Sequence, residues 1–242
     1  MPGRRRDAST SGPVEIVHLT GGDAARQARG TVVVIDVLRS FTVSAYALDG
    51  GARECLLVPT VAEARALRDK IPGSLISAEE EALPVQGIRI SNSPTQIRAA
   101  HLEGHTLIQR SSAGTTVMAV IESADGLFAA SLVVASATVR ACMAHHPQVL
   151  TLIASADHPE DHACAAYLEA LIRGEEPDLD RLLQPLRDSE RYARAIRGDW
   201  PGFPPSDVEL SLAVDRFDFA MPVTRHPSYQ RLTAAGPTEG KS

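Results

Sequence analysis

From Val14 onward, short apolar runs alternate with stretches whose apolar residues recur at helical spacing. Val14–Leu19 predicts an edge strand. Thr31–Val37, which reads TVVVIDV, is apolar and β-branched enough for a strand buried on both faces. Further strands are predicted over Glu54–Val58, Ser74–Ile76, Thr106–Gln109, Leu132–Ala135 and Val149–Ala154. Between them, Ser40–Leu48 predicts a helix stopped by Gly50-Gly51. Thr60 with Glu63 forms a capping box, and Ser93-Pro94-Thr95-Gln96 places a cap, an N1 proline and an N3 glutamine at another helix start. A turn over Ser111–Gly114 leads into a helix over Thr115–Ser123. Asp157-x-x-Glu160 opens a long helix to about Arg173, closed by Gly174. Asp178–Arg197 is charged and helical, Gly198–Pro205 is rich in Gly and Pro, and Ser206-x-x-Glu209 is a further capping box.

Such alternation predicts an α/β fold, a three-layer α/β/α arrangement with a mostly parallel or mixed sheet. Strand order is not readable. The expected organisation is a disordered tail over 1–13 and one α/β domain over 14–233. Residues 178–223 are expected as a helical C-terminal subregion of that domain, and 234–242 as a second disordered tail.

Composition narrows the function classes. The 242 residues are 44% hydrophobic and 22% charged, which suits a packed core. The net charge of -6 gives no global attraction to nucleic acid or anionic membrane, so a phosphate site must be a local concentration of donors. The three cysteines form no C-x-x-C pair, which argues against a zinc knuckle or a disulfide framework and for small buried hydrophobes in a reducing compartment. No apolar segment follows Arg4-Arg5-Arg6, and no stretch approaches the length of a membrane span. The expectation is a soluble, cytoplasmic protein.

In α/β folds ligands gather beyond the carboxyl ends of strands, so polar residues there are the candidates. Asp36 and Arg39 follow the most apolar run. Asp36 suits magnesium and Arg39 suits phosphate oxygens, and a structural Asp–Arg pair explains the spacing equally well. Ser91-Asn92-Ser93-Pro94 reads first as a good helix cap and second as an anion site. The small-residue turn Ser111-Ser112-Ala113-Gly114-Thr115 offers amides for a phosphate nest but is no Walker loop. Asp157, His158, Glu160, Asp161 and His162 cluster at a helix start, where carboxylates are ordinary dipole partners and are also suited to metal binding or proton transfer. Glu79-Glu80-Glu81 reads as a solvated run.

Taken in order, these segments resemble the 2-phosphosulfolactate phosphatase family. Asp36-Val37-Leu38-Arg39-Ser40 matches its D-V-L-R-A, and Ala78-Glu79-Glu80 its G-E-R. Gly87 to Pro94 matches G-F-D-x-G-N-S-P, Ser111 to Thr115 matches T-T-N-G-T, and Glu160-Asp161 its E-D. The resemblance runs from about Val14 to Val223. It implies an α/β/α fold and magnesium-dependent hydrolysis of phosphosulfolactate to sulfolactate and phosphate, a step toward coenzyme M. It also implies roles: Asp36, Arg39, Glu160 and Asp161 in catalysis; Asp36, Glu79 and Asp161 on Mg2+; Asn92, Ser93, Ser111, Ser112, Gly114 and Thr115 on the phosphate ester. Glu80 stands where the family has arginine, Ala113 where it has asparagine and Ser91 where it has glycine. Those departures keep two alternatives open: a phosphatase for a different carboxylated ester, and a non-catalytic, small-anion-binding descendant of the fold. Expected partners are the small anionic ester and copies of the chain itself, with no nucleic acid and no membrane.

Overall fold

The computed structural model describes residues 13–236. Most of the two tails expected to be disordered lies outside that range. Ten strands form one mixed sheet: β1 (Glu15–Thr20), β2 (Thr31–Ile35), β3 (Glu54–Leu57), β4 (Leu75–Glu80), β5 (Leu83–Pro84), β6 (Thr106–Arg110), β7 (Gly126–Ala130), β8 (Val149–Ala154), β9 (Met221–His226) and β10 (Tyr229–Leu232). Ten helices accompany them: α1 (Gly21–Ala25), α2 (Ser40–Asp49), α3 (Val61–Lys70), α4 (Pro94–Arg98), α5 (Gly114–Val120), α6 (Ala135–Met143), α7 (Pro159–Arg173), α8 (Leu179–Arg187), α9 (Glu190–Arg197) and α10 (Ser206–Ser211). Among the described residues no helix is long and apolar enough to cross a membrane.

The strand order is β1-β8-β2-β7-β9-β10-β3-β6-β4-β5. Strands β1, β8, β2 and β7 are mutually parallel, as are β3, β6 and β4. The hairpin β9–β10 pairs antiparallel with β7 on one side and with β3 on the other, so the two parallel groups run in opposite directions.

Side-chain alternation along the strands explains how the helices cover this sheet. Val32 and Val34 of β2 join Cys55 and Leu57 of β3 and Leu107 of β6 in one core, together with Phe41 and Ala45 of α2 and Val117 and Met118 of α5. The opposite faces pack separately. Val33 and Ile35 meet α7, α8 and α9, whereas Leu56 and Ile108 meet α3. Each parallel group is thus covered on both faces, which fits the β-branched, unalternating run of β2. The shared inner core also means that the sheet curls. Five strand spacings of about 4.8 Å would separate β2 from β6 if it were flat. Instead, the turn after β6 donates a 2.9 Å hydrogen bond to the residue after β2, from Gly114 to Asp36.

Four local expectations are corrected. Leu132–Val134 forms a 3₁₀ turn and not a strand, because the ladder with β2 runs from Gly126 and ends at Ala130 opposite Ile35. Ser206 lies inside α10 behind Pro205 and shares a hydrogen bond with Thr95 in place of a capping box. Residues 221–223 of the expected helical subregion begin strand β9, and order continues past 234, where Ala235 exchanges two 2.9 Å hydrogen bonds with Ala220. The capping boxes at Thr60 and the cap at Ser93 are formed as read.

Candidate active site

Two aspartates are held on either side of the end of β2. Asp36 accepts the Ser40 N–H on Oδ1 and the Gly114 N–H on Oδ2, each at 2.9 Å. Asp161, in the first turn of α7, accepts the Val37 N–H at 2.8 Å and the Ser155 hydroxyl at 3.2 Å. Both are buried. Burial pushes the Asp36 carboxyl up from its ordinary value against the pull of the Ser40 and Gly114 amides. Burial pushes Asp161 up further, and the charges of Asp36 and Glu160 add to it. Two adjacent carboxylates that resist ionisation in this way are what a cation would relieve.

Glu79, at the end of β4, organises the turn after β6. Its carboxylate accepts the Ser112 N–H, the Ser112 hydroxyl at 3.0 Å and the Ala82 N–H at 2.6 Å. Ser111 and Thr115 interlock within the turn: the Ser111 N–H donates to Thr115 Oγ1 at 3.0 Å, and the Thr115 N–H donates to Ser111 Oγ at 3.1 Å. Buried Gln109 ties the two sheet halves together. It donates to the Ser40 carbonyl at 2.6 Å and to Asn92 Oδ1 at 3.4 Å, and accepts from Ser44 at 2.6 Å.

Two guanidinium groups face these carboxylates. Arg39 is buried, its Nη1 donating at 2.8 Å both to the Gly202 carbonyl and to Asp207, with its plane 4.0 Å from the centre of the Phe203 ring. Arg191 of α9 donates through Nε to Glu160 at 2.9 Å and through Nη2 to the Leu38 carbonyl at 3.1 Å, and lies 5.2 Å from the Trp200 ring centre. Glu160 is fully buried and its other oxygen, Oε2, has no partner among the described residues. Burial, helped by the Arg191 charge, holds the His158 imidazole below its ordinary pKa.

A small cavity of about 100 Å³ brings Asp36, Arg39, Glu79, Asn92, Ser111, Ser112 and Asp161 together, and its wall also includes Ala113, Ser155, His158, Arg191, Trp200 and Phe203. Ser93, Gly114, Thr115 and Glu160 stand one step behind that wall. Ser93 donates its hydroxyl to Asp207, Gly114 holds Asp36, Thr115 braces Ser111 and Glu160 holds Arg191. Asp157 and His162 pair with each other on the surface, and Glu80 is exposed. A larger cleft of about 580 Å³ beside β4, between Arg68 and His101, contains none of the anticipated site residues.

Arg191, Asp207, Ser155, Trp200 and Phe203 contribute to the site without having been candidates in the sequence. Arg191 is one of several arginines in a charged helical stretch, and Asp207 is hidden inside a supposed capping box. Among the described residues no group of three or more His, Cys, Asp or Glu side chains forms a metal cage on its own. Asp36 and Asp161 nevertheless fit a magnesium ion, which takes one or two carboxylates and completes its shell with water and phosphate oxygens. Each of their oxygens accepts a single hydrogen bond and keeps a lone pair. Glu79 is more fully committed, to three donors.

A family sequence model described as 2-phosphosulpholactate phosphatase matches residues 18–197 of this chain. The chain is similar to the probable 2-phosphosulfolactate phosphatase of Bacillus subtilis, 35% identical over 147 residues, which are 59% of this chain and 64% of that protein. It is also 35% identical over 144 residues to the protein of the same description from Carboxydothermus hydrogenoformans, covering 58% of this chain and 60% of the relative. A Synechococcus relative, again described as a probable 2-phosphosulfolactate phosphatase, is 28% identical over 186 residues, 74% of this chain and 75% of its own length. The first two alignments therefore span less than two thirds of those relatives.

Proposed function

Because the chain belongs to the 2-phosphosulpholactate phosphatase family, we propose that it hydrolyses a small acidic phosphate ester, 2-phosphosulfolactate, to sulfolactate and inorganic phosphate. The observation that carries this reading is the convergence of Asp36, Asp161 and Arg39 on one small cavity beyond the ends of β2 and β8. In the reaction the bond between phosphorus and the ester oxygen breaks, a bond between phosphorus and a water oxygen forms, and a proton from that water ends on the departing alkoxide. Magnesium held by Asp36 and Asp161 would supply Lewis-acid charge neutralisation to the phosphoryl oxygens.

The chain's own groups do the rest. Arg39, which lines the cavity, has Nε and Nη2 without a protein acceptor among the described residues, and these donors would be available to charge building on the phosphoryl group. The carboxylates are held in place by backbone amides of Val37, Ser40 and Gly114, so little reorganisation accompanies the reaction. His158, kept toward its neutral form, lines the cavity as a group able to exchange a proton with the attacking water or the leaving oxygen. A second reading, hydrolysis of another carboxylated ester, draws on Ala113: it lines the cavity and offers no side-chain donor or acceptor to a substrate. Titrating magnesium into chelator-treated protein, while following melting temperature and phosphate release from both kinds of ester, tests the proposal. Release that depends on magnesium supports it, and undiminished release in chelator contradicts it.

A further inference from the structure

The mouth of the cavity has a construction that the shared motifs do not explain. Trp200 and Phe203 stack on each other, 5.5 Å between centres and 12° between planes. Arg39 lies on Phe203, and Arg191 and Arg194 both lie on Trp200, so the two stacked rings carry three guanidinium groups, of which Arg39 and Arg191 line the cavity. Both rings lie beyond residue 197, where the family match ends. The two arginines differ in depth. Arg39 is buried to 3% exposure beside the buried aspartates, whereas the Arg191 side chain keeps 21% at the cavity wall. Arg39 and Arg191 line the same cavity, so an ester whose phosphoryl group meets Arg39 and a cation on Asp36 and Asp161 would have Arg191 within the same enclosure.

Arg191 is also pre-set for recognition. Its Nε and one Nη2 hydrogen are taken by Glu160 and the Leu38 carbonyl. Nη1 has no protein acceptor among the described residues, and a guanidinium fixed along one edge presents the other as a fork suited to a carboxylate or sulfonate. Glu160, wholly buried with one unpartnered oxygen, keeps that orientation.

We infer that Arg191, carried on the Trp200–Phe203 ring pair and positioned by Glu160, binds the acid group on the substrate's carbon skeleton and sets the preference for acid-bearing phosphate esters. This assignment rests on the phosphatase reading of the site.

The test compares 2-phosphosulfolactate, 2-phospholactate and p-nitrophenyl phosphate on native protein, Arg191→Gln and Arg191→Lys. Losing one partner of a buried charge-assisted contact should lower kcat/KM for the acid-bearing esters, relative to the aryl ester, by about 100-fold in Arg191→Gln, mainly through KM. Arg191→Lys, which keeps a cation opposite Glu160 and so guards against misfolding, should recover part of it. A fall shared by both acid-bearing esters puts the carboxylate on Arg191, and a fall confined to 2-phosphosulfolactate puts the sulfonate there. Equal loss on all three esters, or no loss, overturns the assignment. Calorimetric titration of sulfolactate separates this failure from that of the phosphatase reading. If native protein releases phosphate from none of the esters yet binds sulfolactate, and Arg191→Gln weakens that binding, only the phosphatase reading fails. Binding that is absent, or unchanged in the variant, removes the recognition role.

Discussion

The backbone N–H of Gly114 donates to Oδ2 of Asp36 at 2.9 Å, joining the turn after β6 to the end of β2. A side chain at 114 would destroy this contact, since an added Cβ would stand 2.7 Å from that oxygen and 3.0 Å from Ser40. Gly114→Ala must therefore push the turn away from Asp36. It should destabilise the protein by about 1–3 kcal/mol. Displacing the carboxylate should also lower turnover by about 10²-fold. Urea unfolding and phosphate release measure the two effects separately.

Asp207 is an anchor outside the cavity. It is fully buried and takes the Arg39 guanidinium, the Ser93 hydroxyl and the Thr95 amide. Asp207→Ala leaves Arg39 buried without its counter-charge and should cost about 3–5 kcal/mol in urea unfolding. Loss of less than about 1 kcal/mol, the scale of an exposed pair, would show that Arg39 is solvated instead.

The C-terminal hairpin is tied to β3 by Glu54, which accepts from Thr106 at 2.9 Å and from Arg231 at 2.5 Å. Partial burial pushes the Glu54 carboxyl up, but Arg231 and Thr106 outweigh it and hold it below the ordinary 4.5. Because the folded value is depressed, the contribution is present above the ordinary value and is lost as pH falls through the lowered one. Arg231→Ala should thus be less stable than native protein by about 1 kcal/mol near neutrality. The gap should close on acidification below pH 4.5, where unfolding curves at several pH values would detect it.

The replacements at 80 and 113 should behave differently. Glu80 is exposed and outside the cavity, so Glu80→Arg should change kcat/KM by no more than about 3-fold, the scale of surface electrostatics. Ala113 lines the cavity, so Ala113→Asn places a donor and an acceptor against the substrate and should move KM while kcat changes less. Steady-state kinetics on phosphosulfolactate would show whether the order is reversed.

Much of this site was legible because local sequence dictates it. An aspartate directly after TVVVI has to sit at a strand end, and Ser93-Pro94 has to start a helix. What local pattern could not give was the partner of each group. Ser93 reads first as a cap and second as an anion ligand; the cap is formed, and only the packing of α10 against α4 shows that its hydroxyl donates to Asp207. Arg191 is indistinguishable in sequence from Arg187 or Arg197, which pair with Asp180 and Glu190 on the surface. The apolar run Leu132–Val134 reads as a strand because a short buried run has no decisive period, while the strand itself, Gly126–Ala130, has no β-branched residue to mark it. The hairpin β9–β10 was hidden by Pro222 and Pro227, which a strand tolerates only where the ladder does not need their N–H. The curl that brings β2 and β6 together is a property of strand order, which no local pattern encodes.

The proposed reaction is magnesium-dependent phosphate release centred on Asp36. Its most direct test is phosphate release from phosphosulfolactate by native protein and by Asp36→Ala, each with magnesium and with chelator. Release by native protein with magnesium, lost in chelator and lost in the folded variant, is expected. Release that survives both chelator and Asp36→Ala, or no release from folded native protein supplied with magnesium, would contradict it.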